Sequence, residues 1–95
     1  MSEIKLTKDS IENAILRDGK LVGGYVNDNG HISAKGNGAV AIGYASNGGT
    51  IEASGNGAHA EGYNTWAWAD GAHAGGIGTI ANKEAMTAIG KYNYP

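Results

Sequence analysis

Gly36-Asn37-Gly38-Ala39-Val40-Ala41-Ile42-Gly43 and Gly55-Asn56-Gly57-Ala58-His59-Ala60-Glu61-Gly62 are two copies of one pattern, and their spacing decides the fold. The pattern continues through Ala69-Asp70-Gly71-Ala72-His73-Ala74-Gly75-Gly76 and ends in Lys83-Glu84-Ala85-Met86-Thr87-Ala88-Ile89-Gly90. The closing glycines Gly43, Gly62, Gly76 and Gly90 stand 19, 14 and 14 residues apart. A further step of 19 back from Gly43 reaches Gly24, with Asp18-Gly19 in the place of Asn37-Gly38. The chain therefore holds five copies, the first degenerate. Self-similarity at fixed phase is the mark of a stacked repeat architecture.

The two periods differ only in how the copies are joined. Tyr63-Asn64 and Ile77-Gly78 are two-residue joins, whereas Tyr25 to His31 and Tyr44 to Thr50 are seven residues long. The five extra residues form one loop, marked by Asn29-Gly30 and Asn47-Gly48, and Asn-Gly readily takes the positive φ of a tight turn. A second corner recurs as Asp18-Gly19, Asn37-Gly38, Asn56-Gly57, Asp70-Gly71 and Glu84-Ala85. Turn dipeptides in phase between short alternating segments predict two strands and two turns per repeat. Two strands of about five residues bury nothing alone. Stacked coils, each strand paired with its equivalent at about 4.8 Å, predict a segment about 25 Å long. Alternation puts Ala39 and Ala41, Ala58 and Ala60, Ala72 and Ala74, and Met86 and Ala88 on one face. Ala34, Ala53, Ala67 and Ala81 form a column on the other strand. Both point to a narrow interior that buries too little to stand alone, so association is expected. The spacing does not set the number of chains.

Composition agrees and excludes several classes. Of 95 residues 17 are Gly, while Leu, Ile, Val and Phe together supply 15. So low a share goes with disorder when net charge is high, and here the net charge is −2. No apolar run approaches the roughly 18 residues of a membrane-spanning helix. Met1-Ser2-Glu3-Ile4-Lys5 lacks the apolar stretch of a signal peptide. With no Cys there is no disulfide, thiolate nucleophile or Cys-based zinc site. Residues 36 to 82 carry Glu52, Glu61 and Asp70 but no Lys or Arg, which leaves no basic stripe for nucleic acid. Gly19 to Gly24 and Gly71 to Gly78 lack the Lys-Ser/Thr ending of a phosphate loop. No triad or carboxylate pair stands apart from the repeat register. The expectation is a protein that is not an enzyme and takes no cofactor or metal.

Ala39-Val40-Ala41-Ile42-Gly43-Tyr44-Ala45-Ser46 resembles the head repeat of trimeric autotransporter adhesins (YadA-like heads), Asn-Ser-Val-Ala-Ile-Gly followed by two residues and Ser. Val40, Ala41, Ile42, Gly43 and Ser46 match, and Gly38 and Ala39 depart. Ala58-His59-Ala60-Glu61-Gly62 and Ala72-His73-Ala74-Gly75-Gly76 are similar to the Ser-His-Ala-Glu-Gly variant of phage tail-fibre and tail-spike proteins. Ala88-Ile89-Gly90-Lys91-Tyr92-Asn93 resembles the close of such arrays. The resemblance covers roughly residues 19 to 93. It implies a left-handed parallel β-roll assembled as a homotrimer, with attachment as its function. No anchor or coiled-coil stalk accompanies the repeats, which with the His-Ala-Glu-Gly variant favours a structural and receptor-binding module of a phage tail fibre or spike, located in the virion. The alternative is an autotransporter head fragment on the bacterial surface, binding host matrix protein. Partners expected are the chain itself, other fibre or adhesin segments, and a cell-surface glycan or protein receptor, without nucleic acid or membrane insertion.

The division expected is a cap or degenerate coil over residues 1–18, repeats over 19–93 and a tail at 94–95. Ser10 to Gly19 admits a helix capped by Ser10, but the phase of Asp18-Gly19 and Gly24 favours a strand over Asn13 to Arg17. Ile4-Lys5-Leu6-Thr7 alternates as an edge strand or cap. His59 and His73, 14 apart, fall on one face, and Glu61 is placed to orient His59. In a trimer they form rings able to take an ion, although Val40 and Thr87 fill the same slots and interchain hydrogen bonding is the plainer role. Trp66 and Trp68, opposite Ala67, are candidate ligand contacts, the basis of a third reading as a glycan-binding module. Tyr25, Tyr44 and Tyr63 follow the closing glycines as an aromatic ladder, with Tyr44 and Tyr63 as further candidate contacts. Gly24, Gly43, Gly62, Gly76 and Gly90, and the corners at Asn37, Gly38, Asn56, Gly57, Asp70 and Gly71, are structural. Thr50, Thr65 and Thr79 form no Thr-x-Thr rank of the kind that binds ice.

Overall fold

The computed structural model describes residues 4–7 and 14–91, which form strands and no helix. In chain order the strands are β1 (Ile4–Thr7), β2 (Ala14–Arg17), β3 (Lys20–Val26), β4 (His31–Ala34), β5 (Val40–Ala45), β6 (Thr50–Ala53), β7 (His59–Tyr63), β8 (Trp66–Ala67), β9 (His73–Ile77), β10 (Ile80–Ala81) and β11 (Thr87–Lys91). One sheet has five strands in the order β1-β4-β6-β8-β10, the other six in the order β11-β9-β7-β5-β3-β2. From β3 onward the chain alternates between the sheets, and each strand pairs in parallel with its counterpart one repeat on. Gly24, Gly43, Gly62, Gly76 and Gly90 stand in register across the six-stranded sheet, as do Ala41, Ala60, Ala74 and Ala88. The step from 19 to 14 residues is thus absorbed between strands, in the loops 27–30 and 46–49.

The two sheets enclose a thin core. The molecule measures 33 × 27 × 13 Å, little more than two sheets at the ~10 Å spacing of face-to-face packing. Ala34, Ala39, Ala41, Ala53, Ala58, Ala67, Ala74 and Ala81 are fully buried, with Ile4, Val22, Ile32 and Ile51 filling the wider end. Toward the other end Thr65 and Thr79 take the inward place of Ile51 and are equally buried. Each hydroxyl donates to a carbonyl four residues earlier, Thr65 Oγ1 to Glu61 O and Thr79 Oγ1 to Gly75 O, both at 3.0 Å. The two-residue join brings that carbonyl within reach, so a polar side chain is satisfied in the core. Thr50 pairs instead with His31, so the three threonines form no single column.

The corners are held by Asn and Asp. Gly57 N donates to Asn37 O at 2.7 Å, Gly71 N to Asn56 O at 2.8 Å and Ala85 N to Asp70 O at 3.0 Å. Side chains complete the stack, with Asn37 N donating to Asn56 Oδ1 at 3.0 Å and Asn56 N to Asp70 Oδ1 at 2.8 Å. A short side-chain oxygen at that position satisfies the corner amide of the preceding coil.

The first copy departs from the repeat. Of the stretch read as helix or strand, residues 10–13 lie outside the described residues; Ala14–Arg17 is a strand, but it pairs antiparallel with β3 in the same sheet. Asp18 and Gly19 both have left-handed φ, 56° and 71°, which makes the two-residue turn that sends a chain back beside itself. In the later corners only the second residue, Gly38, Gly57 or Gly71, is left-handed, and the chain crosses to the other sheet. The matching place in the five-stranded sheet is taken by β1, antiparallel to β4. Lys20, at the start of β3, is buried and its Nζ donates to Asp18 O at 3.2 Å.

Candidate functional site

Two outward faces carry the candidate residues, and they differ in chemistry. Of the large apolar side chains that stand exposed among the described residues, Leu16, Tyr25, Ile42, Tyr63, Ile77 and Ile89 all belong to strands of the six-stranded sheet. Leu16 and Ile89 are 77% and 69% exposed. Trp68 is the one that belongs to the five-stranded side. Trp66 and Trp68 on one sheet and Tyr44 and Tyr63 on the other therefore do not form one site.

On the six-stranded sheet the tyrosines stack because parallel in-register strands repeat the same position one coil apart. Tyr25 and Tyr44 have ring centroids 5.4 Å apart and nearly parallel planes, and Tyr44 and Tyr63 are 5.0 Å apart and tilted by 35°. Asn27 Nδ2 donates to the Tyr44 hydroxyl at 3.3 Å, tying the middle ring to the first long loop. The second long loop is held by Asn64, whose Oδ1 accepts from Ser46 N at 3.1 Å and whose Nδ2 donates to Ser46 Oγ at 2.8 Å.

His59 and His73 are register partners with rings edge-on at 6.2 Å. Glu61 does not orient His59. Its Oε1 lies 3.4 Å from His73 Nε2. The residue opposite Glu61 is Gly75, and the space its side chain would take is bordered by Glu61 Cγ and His73 Nε2. Glu61 leans into that vacancy and so reaches the histidine of the next coil. Val40 and Thr87 flank the pair in the same column. Among the described residues no three His, Asp or Glu side chains converge as a metal site.

On the five-stranded sheet Trp66 stands opposite Glu52, and Trp68 follows one pleat later beside Ser54. The indole N–H of Trp66 donates to Thr50 O at 3.1 Å, fixing that ring to the neighbouring backbone. Trp68 stacks on it, with centroids 5.1 Å apart and planes 19° from parallel, and remains 42% exposed. Beside the rings runs a hydrogen-bonded polar group. Ser54 Oγ donates to Glu52 Oε2, which lies 3.5 Å from Lys35 Nζ. Asn82, exposed, flanks Trp68 on the other side. The alternation of β6 places Glu52 and Ser54 outward with the tryptophans, but the part of Lys35 and Asn82 follows only from the paired register. Comparison with known protein families, curated proteins and solved structures finds no match to this chain.

Proposed function

We propose that the chain is a homotrimeric left-handed parallel β-roll serving as a non-catalytic structural and attachment module of a phage tail fibre or spike. The observation that supports this most is the outward face of the six-stranded sheet, where Leu16, Tyr25, Ile42, Tyr63, Ile77 and Ile89 stand exposed on a slab 13 Å thick. Large apolar side chains gathered on one face call for a partner surface, and a thin alanine core gains most from association. The likeness of residues 39–46, 58–62 and 72–76 to head-repeat and tail-fibre motifs supplies the trimer and the attachment role.

Absolute mass by light scattering on a sizing column tests the assembly. The expected value is close to three times 9.7 kDa, and a compact monomer overturns it. Retention of the labelled chain on intact bacterial cells tests attachment. Retention on a subset of strains is expected, and an assembled trimer that no strain retains overturns that role.

A further inference from the structure

We infer that the outward face of the five-stranded sheet holds a saccharide subsite built on Trp68, for a neutral hexopyranose unit of a surface glycan. This rests on the attachment reading and names what the attached surface presents. Three observations carry it. The first is isolation: every other large apolar side chain that stands exposed among the described residues is on the other sheet. A contact patch for a protein needs several such anchors grouped together, whereas one aromatic face among polar neighbours matches a sugar ring, whose C–H face is apolar and whose rim is hydroxyl.

The second is preorganisation. The backbone carbonyl of Thr50 holds Trp66, and Trp66 covers one face of Trp68, so the exposed ring loses little freedom when a ligand stacks on it. The third is charge. Lys35 and Glu52 lie 3.5 Å apart and offset one another, so the flank offers donors and acceptors with no net charge, the complement of a neutral sugar rather than an anionic one. The row Lys35, Ser54, Trp68, Asn82 crosses three inter-strand steps, about 14 Å, enough for a glycan chain to lie across the sheet. A flat site of this kind is weak singly, and repeated copies in an assembly raise its working affinity.

Trp66 and Trp68 are the only tryptophans in the chain, so intrinsic fluorescence reads the site directly. Titration of the full chain with methyl β-galactopyranoside and methyl β-glucopyranoside is expected to give a saturable change for at least one, with Kd on the order of 1–10 mM. N-acetylneuraminic acid is expected to give none. Trp68→Ala, with Trp66 still reporting, is expected to abolish the response while leaving circular dichroism and mass unchanged. Glu52→Gln is expected to weaken it about threefold to tenfold. Absence of a saturable response to both neutral sugars, or an equal response in Trp68→Ala, overturns the subsite. A change of assembled mass in Trp68→Ala also overturns it, because the ring then meets a second copy. Cell retention unaltered by Trp68→Ala sinks the subsite and leaves attachment standing. Sugar binding without retention on any cell does the reverse.

Discussion

At the scale of the residue, the closing glycines are dictated by their neighbours one coil away. A Cβ built on Gly43, whose φ is 144°, falls on the carbonyl of Gly62, whereas one built on Gly90 meets nothing within 4 Å. Gly43→Ala is therefore expected to cost about 3 kcal/mol or more, and Gly90→Ala only the backbone strain of about 1–2 kcal/mol. Chemical denaturation of the two variants separates the terms. Ala85 is the converse case. It holds φ 59° where Gly38, Gly57 and Gly71 hold 67–71° in the equivalent corners. Ala85→Gly is expected to stabilise the protein by about 0.5–1 kcal/mol, read as a rise in denaturation midpoint. These positions were legible in the sequence because a missing Cβ is visible as a recurring letter. Lys20 was not: nothing in Asp18-Gly19-Lys20-Leu21 distinguishes a buried lysine from a solvated one, and its burial follows from the inward phase of β3.

At the scale of the element, the joins show how a core position changes character with loop length. The long joins place Ile32 and Ile51 inward, and the short ones place Thr65 and Thr79 there with a carbonyl four residues back as partner. Thr65→Val keeps the shape and leaves the Glu61 carbonyl without that donor, so a loss of about 1 kcal/mol is expected in thermal or chemical unfolding. Strand positions, corners and the in-phase pairing of the later repeats were readable from alternation and turn dipeptides. The N-terminal hairpin was not, because Asp18-Gly19 and Asn37-Gly38 look alike as letters. They differ in that the first residue is left-handed only at Asp18, where the chain turns back, and not at Asn37, where it crosses over. The reach of Glu61 to His73 was hidden for a similar reason, since it depends on a side chain that Gly75 lacks.

At the scale of the whole molecule, the two faces divide the work expected of them. If the six-stranded sheet is the association surface, a charge placed at its middle should disperse the assembly without unfolding the slab. Ile42, 41% exposed on β5, is the position to use. Ile42→Lys is expected to shift the mass toward 9.7 kDa with the circular dichroism spectrum retained, and an unchanged mass would place the interface elsewhere. Composition and periodicity made a thin all-β core legible. Which face gathers the exposed apolar side chains was not, because outward residues of both sheets alternate with alanine in the same way, and only the paired strands bring Leu16, Ile42, Ile77 and Ile89 to one side and leave Trp68 on the other. The shared register of β7, β9 and β11 also makes residues 63–76 interchangeable at their ends, since each runs from one closing glycine to the next. Unequal exchange between the repeats of its gene would therefore lengthen or shorten the protein in steps of about 4.8 Å without recutting the core. Because Trp66 and Trp68 sit within that unit, each duplication would add an indole pair, so a single genetic event would set both the reach of the protein and its valency.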